Sequence, residues 1–173
     1  MARRAALSAA QHDALSARIV AHALTTLPAP VVAAFCWPIK HEPDVRGLLA
    51  AWARAGVRTA LPVVVAEGQP LAFREWAPEA VLAPDRYGIP TPTAGAWLTP
   101  DLILLPLNGF DAAGFRLGYG GGFFDRTLAA LAPRPLAVGV GFEINRIDSI
   151  RPAPHDQRLD WIVTENGAFR PVV

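Results

Sequence analysis

The sequence predicts an α/β fold: three layers, with helices covering both faces of a mainly parallel sheet. Three observations predict it. Apolar runs of strand length are continuous rather than alternating, as at Val31 to Cys36, Asp101 to Pro106 and Leu136 to Val140, which is how strands buried on both faces read. Segments of helical period stand between those runs. Seventeen prolines punctuate the 173 residues without clustering into a linker, so residues 1–173 are expected to form one domain.

Ser8 with Gln11 three residues on has the form of a capping box, and it opens a predicted helix. Its apolar face is Leu15, Ile19, Val20, Ala23, Leu24 and Leu27, and it ends before Pro28 and Pro30. Val31 to Cys36 is the first predicted strand. Val45, Leu48, Leu49 and Trp52 form one face of a second helix, stopped by Gly56. A strand from Arg58 to Val65, a turn at Glu67-Gly68-Gln69-Pro70 and a return strand from Leu71 to Trp76 read as a hairpin. The proline-rich stretch from Ala77 to Thr99 is the expected mobile cover. A strand from Asp101 to Pro106 precedes a loop and a helix from about Gly122 to Leu131, and Leu136 to Val140 and Trp161 to Val163 are the last strands. Strand order is not readable from these patterns.

Hydrophobic residues make up 52% of the chain and charged residues 18%, a composition of packed globules rather than disordered tails. A net charge of +1 gives no broad attraction to nucleic acid or to an acidic membrane. The single cysteine, Cys36, has no partner for an internal disulfide, and the four histidines (His12, His22, His41, His155) are scattered without an HExxH pattern. No apolar run approaches the roughly 20 residues that span a bilayer, and no signal-peptide core opens the chain. A soluble cytoplasmic protein is the expectation.

The chemistry concentrates in DLILLPLNGFDAAGFRLGYGGGFFDRTLAAL, from Asp101 onward. An apolar strand leads through an Asp-containing turn to Gly118, Gly120, Gly121 and Gly122 and then to a helix. Such glycines let a ligand approach the main chain closely. Amides at a helix start suit phosphate oxygens, Arg116 can add a charge-assisted clamp, and Asp125 is placed to hold a Mg²⁺ that bridges phosphates. The spacing is neither a P-loop nor a dinucleotide fingerprint. From the residues alone, a phosphate cradle and a plain tight strand-to-helix turn both remain open.

The block RLGYGGGFFDR (Arg116 to Arg126) is similar to the RLGxGxGYYDR signature of the 5-formyltetrahydrofolate cyclo-ligase (5,10-methenyltetrahydrofolate synthetase) family. Supporting pieces follow the family's order: Leu7-Ser8, Glu42, LPVV at Leu61 to Val64, LAFREW at Leu71 to Trp76, YGIPTP at Tyr87 to Pro92, LILLP before Asp111, and PHDQRLDWIVTE at Pro154 to Glu165. The resemblance covers nearly the whole chain and implies a fold similar to the NagB/RpiA/CoA-transferase type. It also implies a ligase that turns 5-formyltetrahydrofolate into 5,10-methenyltetrahydrofolate with ATP and Mg²⁺, releasing ADP and phosphate. Carried onto this chain, Arg116 and Asp125 are the catalytic pair. Arg3, Arg116, Gly118, Tyr119, Gly120, Gly121, Gly122 and Asp125 bind ATP, and Asp125 and Asp156 serve the metal. Glu42, Tyr87, Phe123 and Phe124 meet the folate. Without the resemblance, Glu42 reads as a helix-start carboxylate, Tyr87 as a loop aromatic, and Phe123 and Phe124 as packing at the helix start. Asp156 and Asp160 read equally well as groups that orient the loop before the last strand.

The chain departs from the family pattern at four places. The family's usual first helix, carrying a Lys and an Arg one turn apart, would lie before Met1. Both signature tyrosines are Phe123 and Phe124. The common Pro-Gly after the third strand is Pro106-Leu107 followed by Asn108, and Thr91 replaces an acidic or amide residue. An alternative to the ligase is therefore a catalytically impaired homologue that binds folate or nucleotide in a regulatory role. Expected partners are a reduced folate and ATP, with no nucleic acid and no membrane, in a monomer or weak homodimer.

Overall fold

The computed structural model describes residues 2–172. A short helix, α1 (Ala2–Ala5), leads into α2 (Ala9–Thr26). Ser8 sets the start of α2: its hydroxyl accepts the Gln11 N–H at 3.2 Å, and the Gln11 side chain accepts the Ser8 N–H at 2.9 Å. This is the reciprocal capping box spelled out in the sequence. α2 turns Ser16, Ile19 and Ala23 inward. Leu24, expected on the same face, is exposed, because one residue beyond Ala23 rotates the side chain by about 100°.

The chain continues through β1 (Val32–Ala34), α3 (Arg46–Arg54), β2 (Arg58–Val63), β3 (Ala72–Trp76), β4 (Leu82–Pro84), β5 (Pro90–Pro92) and β6 (Trp97–Leu98). Next come β7 (Leu102–Pro106), β8 (Gly109–Phe110), β9 (Arg116–Leu117), α4 (Phe123–Ala130), β10 (Leu136–Val140), a 3₁₀ turn at Glu143–Asn145, β11 (Trp161–Thr164) and β12 (Gly167–Phe169). β1 is shorter than its apolar run. Phe35 N–H still bonds Ala60 O, but the chain then turns away at Trp37-Pro38, where proline has no N–H to give. The Ala77 to Thr99 stretch, expected as a mobile cover, carries β4, β5 and β6; β4 and β5 pair as an antiparallel ribbon.

Eight strands form one sheet in the order β12-β11-β10-β7-β1-β2-β3-β6. β2, β1, β7, β10 and β11 run parallel, while β12, β3 and β6 add antiparallel edges. Period-two alternation sends successive residues of each central strand to opposite faces. Ala33, Leu102, Leu104, Val138 and Val140 pack with Ile19, Ala23, Leu48, Leu49 and Trp52 of α2 and α3. Ala34, Ile103, Leu105, Ala137 and Ile162 pack with Leu128 of α4 on the other side. The predicted three layers are therefore present.

The order of the sheet decides where a ligand can sit. From β1 the chain passes through α3, on one face, to β2. From β7 it passes through α4, on the other face, to β10. The connections diverge between β1 and β7, leaving a crevice at the carboxyl ends of these neighbours, the usual ligand position in open α/β sheets. The segments leaving β1 and β7 contain Glu42 and the glycine cluster.

Candidate active site at the divergence of β1 and β7

Glu42 lies in the β1–α3 connection and is 4% exposed. It does not start α3, whose N-cap is Val45, so the helix-start reading fails. Its carboxylate instead accepts the Ile39 N–H at 3.1 Å through Oε2 and the Tyr119 hydroxyl at 2.5 Å through Oε1. Burial raises the Glu42 pKa above the ordinary 4.5; the Tyr119 and Ile39 hydrogen bonds and the Arg4 and Lys40 charges oppose that rise. The Tyr119 phenol is pushed up to about 12, first by burial and then by its bond to Glu42. Lys40 and His41, just before Glu42, hold left-handed backbone angles with φ of 49° and 60°, a conformation uncommon for residues with a Cβ. The Lys40 ammonium stands 4.6 Å from the centre of the Tyr119 ring.

Arg4 of α1 completes this cluster and is fully buried. Its Nε donates to Lys40 O at 2.8 Å, Nη1 to Asn108 Oδ1 at 2.8 Å, and Nη2 to the Tyr119 hydroxyl oxygen at 2.9 Å. The same Nη2 is 3.8 Å from Glu42 Oε1. Asn108, noted above as a departure from the family pattern, thus supplies an acceptor for a buried cation. Leu107 beside it is also fully buried; it fills the space over Gly139 and Gly141, where an added Cβ would come within 2.8 and 2.7 Å of it.

The glycine loop itself is exposed. Gly120 has φ of 88° and Gly122, the N-cap of α4, has φ of 62°, so both need glycine. A Cβ added at Gly118 or Gly120 would meet no atom within 4 Å, which leaves space over the backbone at these positions. At the base of the loop, Arg116 donates through Nη2 to Asp125 Oδ1 at 3.2 Å and through Nη1 to Gln157 O at 3.0 Å. Gln157 N–H donates to the same Asp125 Oδ1 at 2.9 Å. The Arg116 side chain is 5% exposed and that of Asp125 21%. β9 and the first turn of α4 are thus tied to the segment before β11, and Asp125 Oδ2 accepts no hydrogen bond among the described residues.

Other expected site residues fall around these two clusters. Phe123 and Phe124 pack against the α4-side core, and Phe123 meets the Tyr87 ring edge-on at 6.1 Å between centroids. Tyr87 is 51% exposed, so this aromatic pair borders the loop with one ring open to solvent. Asp156 Oδ2 caps its own turn by accepting the Ala153 N–H, and Asp160 Oδ2 accepts from Arg134 and from Ala137 N–H. Both carboxylates orient the loop before the last parallel strand. Arg3 is exposed and donates to Ile144 O; Arg4, not Arg3, is the α1 residue that enters the cluster. The Tyr119 side chain is turned to Glu42 and Arg4.

A cleft of about 410 Å³ adjoins Glu42 between the start of α2 and the β1–α3 connection, lined by His12, Trp37, Lys40 and Arg46 among others. His12 Nε2 is hydrogen-bonded to Glu42 O at 2.9 Å. A wide cleft with an aromatic wall and one buried carboxylate suits a flat heteroaromatic ring bearing N–H donors. Among the described residues, no three His, Cys, Asp or Glu side chains gather as a metal cage. No described helix is long and apolar enough to cross a membrane.

Comparison with known proteins gives one consistent result. Residues 1–165 match the family model described as the 5-formyltetrahydrofolate cyclo-ligase family. The 5-formyltetrahydrofolate cyclo-ligase of Mycolicibacterium smegmatis is 31% identical over 137 residues, covering 73% of this chain and 70% of that one. Its counterpart in Escherichia coli is 35% identical over 136 residues, covering 73% and 74%. Among solved structures, the Aquifex aeolicus 5,10-methenyltetrahydrofolate synthetase matches with a TM-score of 0.81 and 28% identity, covering 99% of this chain and 88% of that one. A Mycoplasma pneumoniae 5,10-methenyltetrahydrofolate synthetase, at 23% identity and a TM-score of 0.76, shares the fold.

Proposed function

The chain belongs to the 5-formyltetrahydrofolate cyclo-ligase family, and from that premise we propose how its residues carry out the ATP-driven closure of 5-formyltetrahydrofolate to 5,10-methenyltetrahydrofolate. The family uses ATP as co-substrate. A formamide carbon is a poor electrophile and its oxygen a poor leaving group. Transfer of the γ-phosphoryl group to the formyl oxygen answers both problems and releases ADP. The neighbouring N10 then attacks the activated carbon and gives up its proton to solvent, the C–O bond breaks, and the former formyl oxygen departs as phosphate. Positioning and charge neutralisation carry most of such a transfer.

In this reading the amides from Gly118 to Gly122 line the triphosphate. Arg116 anchors their base and presents its remaining N–H groups to phosphate oxygens. Asp125 would hold Mg²⁺, with Asp156 on the neighbouring loop as a further carboxylate. The ion, when bound, neutralises phosphate charge. Glu42 accepts N–H donors of the pterin from the wall of the cleft, while Phe123 and Tyr87 give the folate an apolar border without a hydroxyl from Phe123. The observation that carries the reading is the Arg116–Asp125 pair at 3.2 Å beneath a glycine loop with open space over Gly118 and Gly120.

The test is to mix purified protein with 5-formyltetrahydrofolate, Mg²⁺ and ATP and to follow the near-UV absorbance of the methenyl product. Growth of that signal is expected to need ATP and to fall about 10²- to 10³-fold in Arg116→Met, the loss typical when a transition-state charge contact is removed. Nucleotide binding without turnover would instead favour the regulatory homologue.

A further inference from the structure

Among the described residues Arg4 is the most heavily hydrogen-bonded buried charge, and the proposed chemistry gives it no role. An arginine removed from water is tolerated only where acceptors surround it. Here the acceptors come from three separate segments: Lys40 O from the β1–α3 connection, Asn108 Oδ1 and Leu107 O from the turn after β7, and the Tyr119 hydroxyl from the glycine loop. A guanidinium has only donors. The Arg4–Tyr119 bond therefore runs from arginine to phenol oxygen, and the single phenol proton is left to point at Glu42 Oε1, 2.5 Å away.

That fixed direction has a consequence for the folate side of the site. A phenol that must donate favours a Glu42 carboxylate that accepts. Without Arg4, the phenol oxygen could equally accept a proton from a neutral Glu42, and the carboxyl would lose its nearest full positive charge. The charged and titratable groups facing Glu42 are Arg4 from α1, Lys40 on its own connection and Tyr119 on the glycine loop. His12 of α2 reaches its carbonyl, and the buried Cys36 thiol lies beyond. Of these, Arg4 alone bonds both the connection carrying Glu42 and the loop carrying Tyr119.

Resting on the cyclo-ligase reading, we propose that Arg4 is a positioning residue. It holds Glu42 as an ionised acceptor through the Tyr119 phenol. Arg4→Met and Tyr119→Phe break the same relay at two points, one fully buried and one half-exposed. Both are expected to weaken 5-formyltetrahydrofolate, read as KM and as affinity by calorimetry, by about ten- to a hundredfold, the loss of one charge-assisted hydrogen bond. KM for ATP should rise clearly less than KM for folate, and the acid limb of kcat/KM for folate should move to higher pH. Arg4→Lys, which keeps the charge, should recover part of the pH profile.

Equal loss of folate and ATP affinity would mean general loosening and would overturn the proposal, as would Tyr119→Phe with unchanged or tighter folate binding. If the wild-type protein neither binds nor turns over 5-formyltetrahydrofolate, the cyclo-ligase reading itself falls. An active wild type with no folate-selective effect in either variant sinks only the role of Arg4.

Discussion

Replacing Asp111 by alanine should destabilise the fold by about 2–4 kcal/mol. Asp111 is 3% exposed and sits in the turn between β8 and β9. Its Oδ1 accepts the Phe115 N–H at 3.0 Å, and its Oδ2 accepts the Ile150 N–H at 2.9 Å. Removing the carboxylate strands two part-buried backbone donors, for which about 1–3 kcal/mol each, the cost for a buried donor left alone, is an upper range. Against this stands the relief of no longer burying a charge and the entry of water into the space vacated, which together bring the sum below the upper bound of about 6. For a chain of this size 1 kcal/mol shifts the midpoint by about 2–4 °C, so thermal unfolding should fall by roughly 5–15 °C. Asp111→Asn keeps one acceptor oxygen and should lose about half as much. Urea unfolding with an unchanged m-value reads the difference as stability. A loss below about 1 kcal/mol in the alanine variant would show that the two amides find other partners, and the account of this turn would be wrong.

Two further outcomes follow from the same bonds and contacts. Burial raises the Glu42 pKa above 4.5, so the native state holds this proton more tightly than the unfolded chain does. Its contribution to stability is fully present below pH 4.5 and is lost as pH rises through the raised native value. Urea titrations across that window should show wild type losing stability relative to Glu42→Gln as pH rises; a difference independent of pH would contradict the shift. Gly141→Ala would place a Cβ 2.7 Å from Leu107 Cβ, an atom fixed to the main chain. It should therefore lower stability by about 1–3 kcal/mol, whereas no loss in a melting experiment would mean that the turn after β7 yields easily.

Much of this arrangement is legible locally. Ser8 and Gln11 mark the start of α2, Glu67-Gly68-Gln69-Pro70 marks the β2–β3 turn, and the continuous apolar runs give the parallel strands, because each signal acts within a few residues. β4 and β5 are hidden because prolines at Pro84, Pro90 and Pro92 obscure a strand pattern, although such residues suit a short two-stranded ribbon; β6 is only two residues long. Strand order depends on contacts far apart in the chain and leaves no local mark. The same holds for the site. Arg116, the glycines and Asp125 are visible as one compact block. Glu42 carries no pattern of its own and becomes interpretable only through the family resemblance. Arg4 escapes altogether: its partners lie 36 to 115 residues away, so nothing near Met1 distinguishes it from its exposed neighbour Arg3. The departure at Asn108 was visible, but its use as an acceptor for Arg4 needed the fold.

The chemistry itself can be followed by one oxygen atom. The substrate would be 5-formyltetrahydrofolate labelled with oxygen-18 in the formyl group, turned over with unlabelled ATP and Mg²⁺ in ordinary water, with the released phosphate analysed by mass spectrometry. Transfer of the γ-phosphoryl group to the formyl oxygen predicts one labelled oxygen in the phosphate for each methenyl product formed. Methenyl product accompanied by unlabelled phosphate would contradict that route, and label-free phosphate released without product would leave this chain an ATP hydrolase rather than a cyclo-ligase.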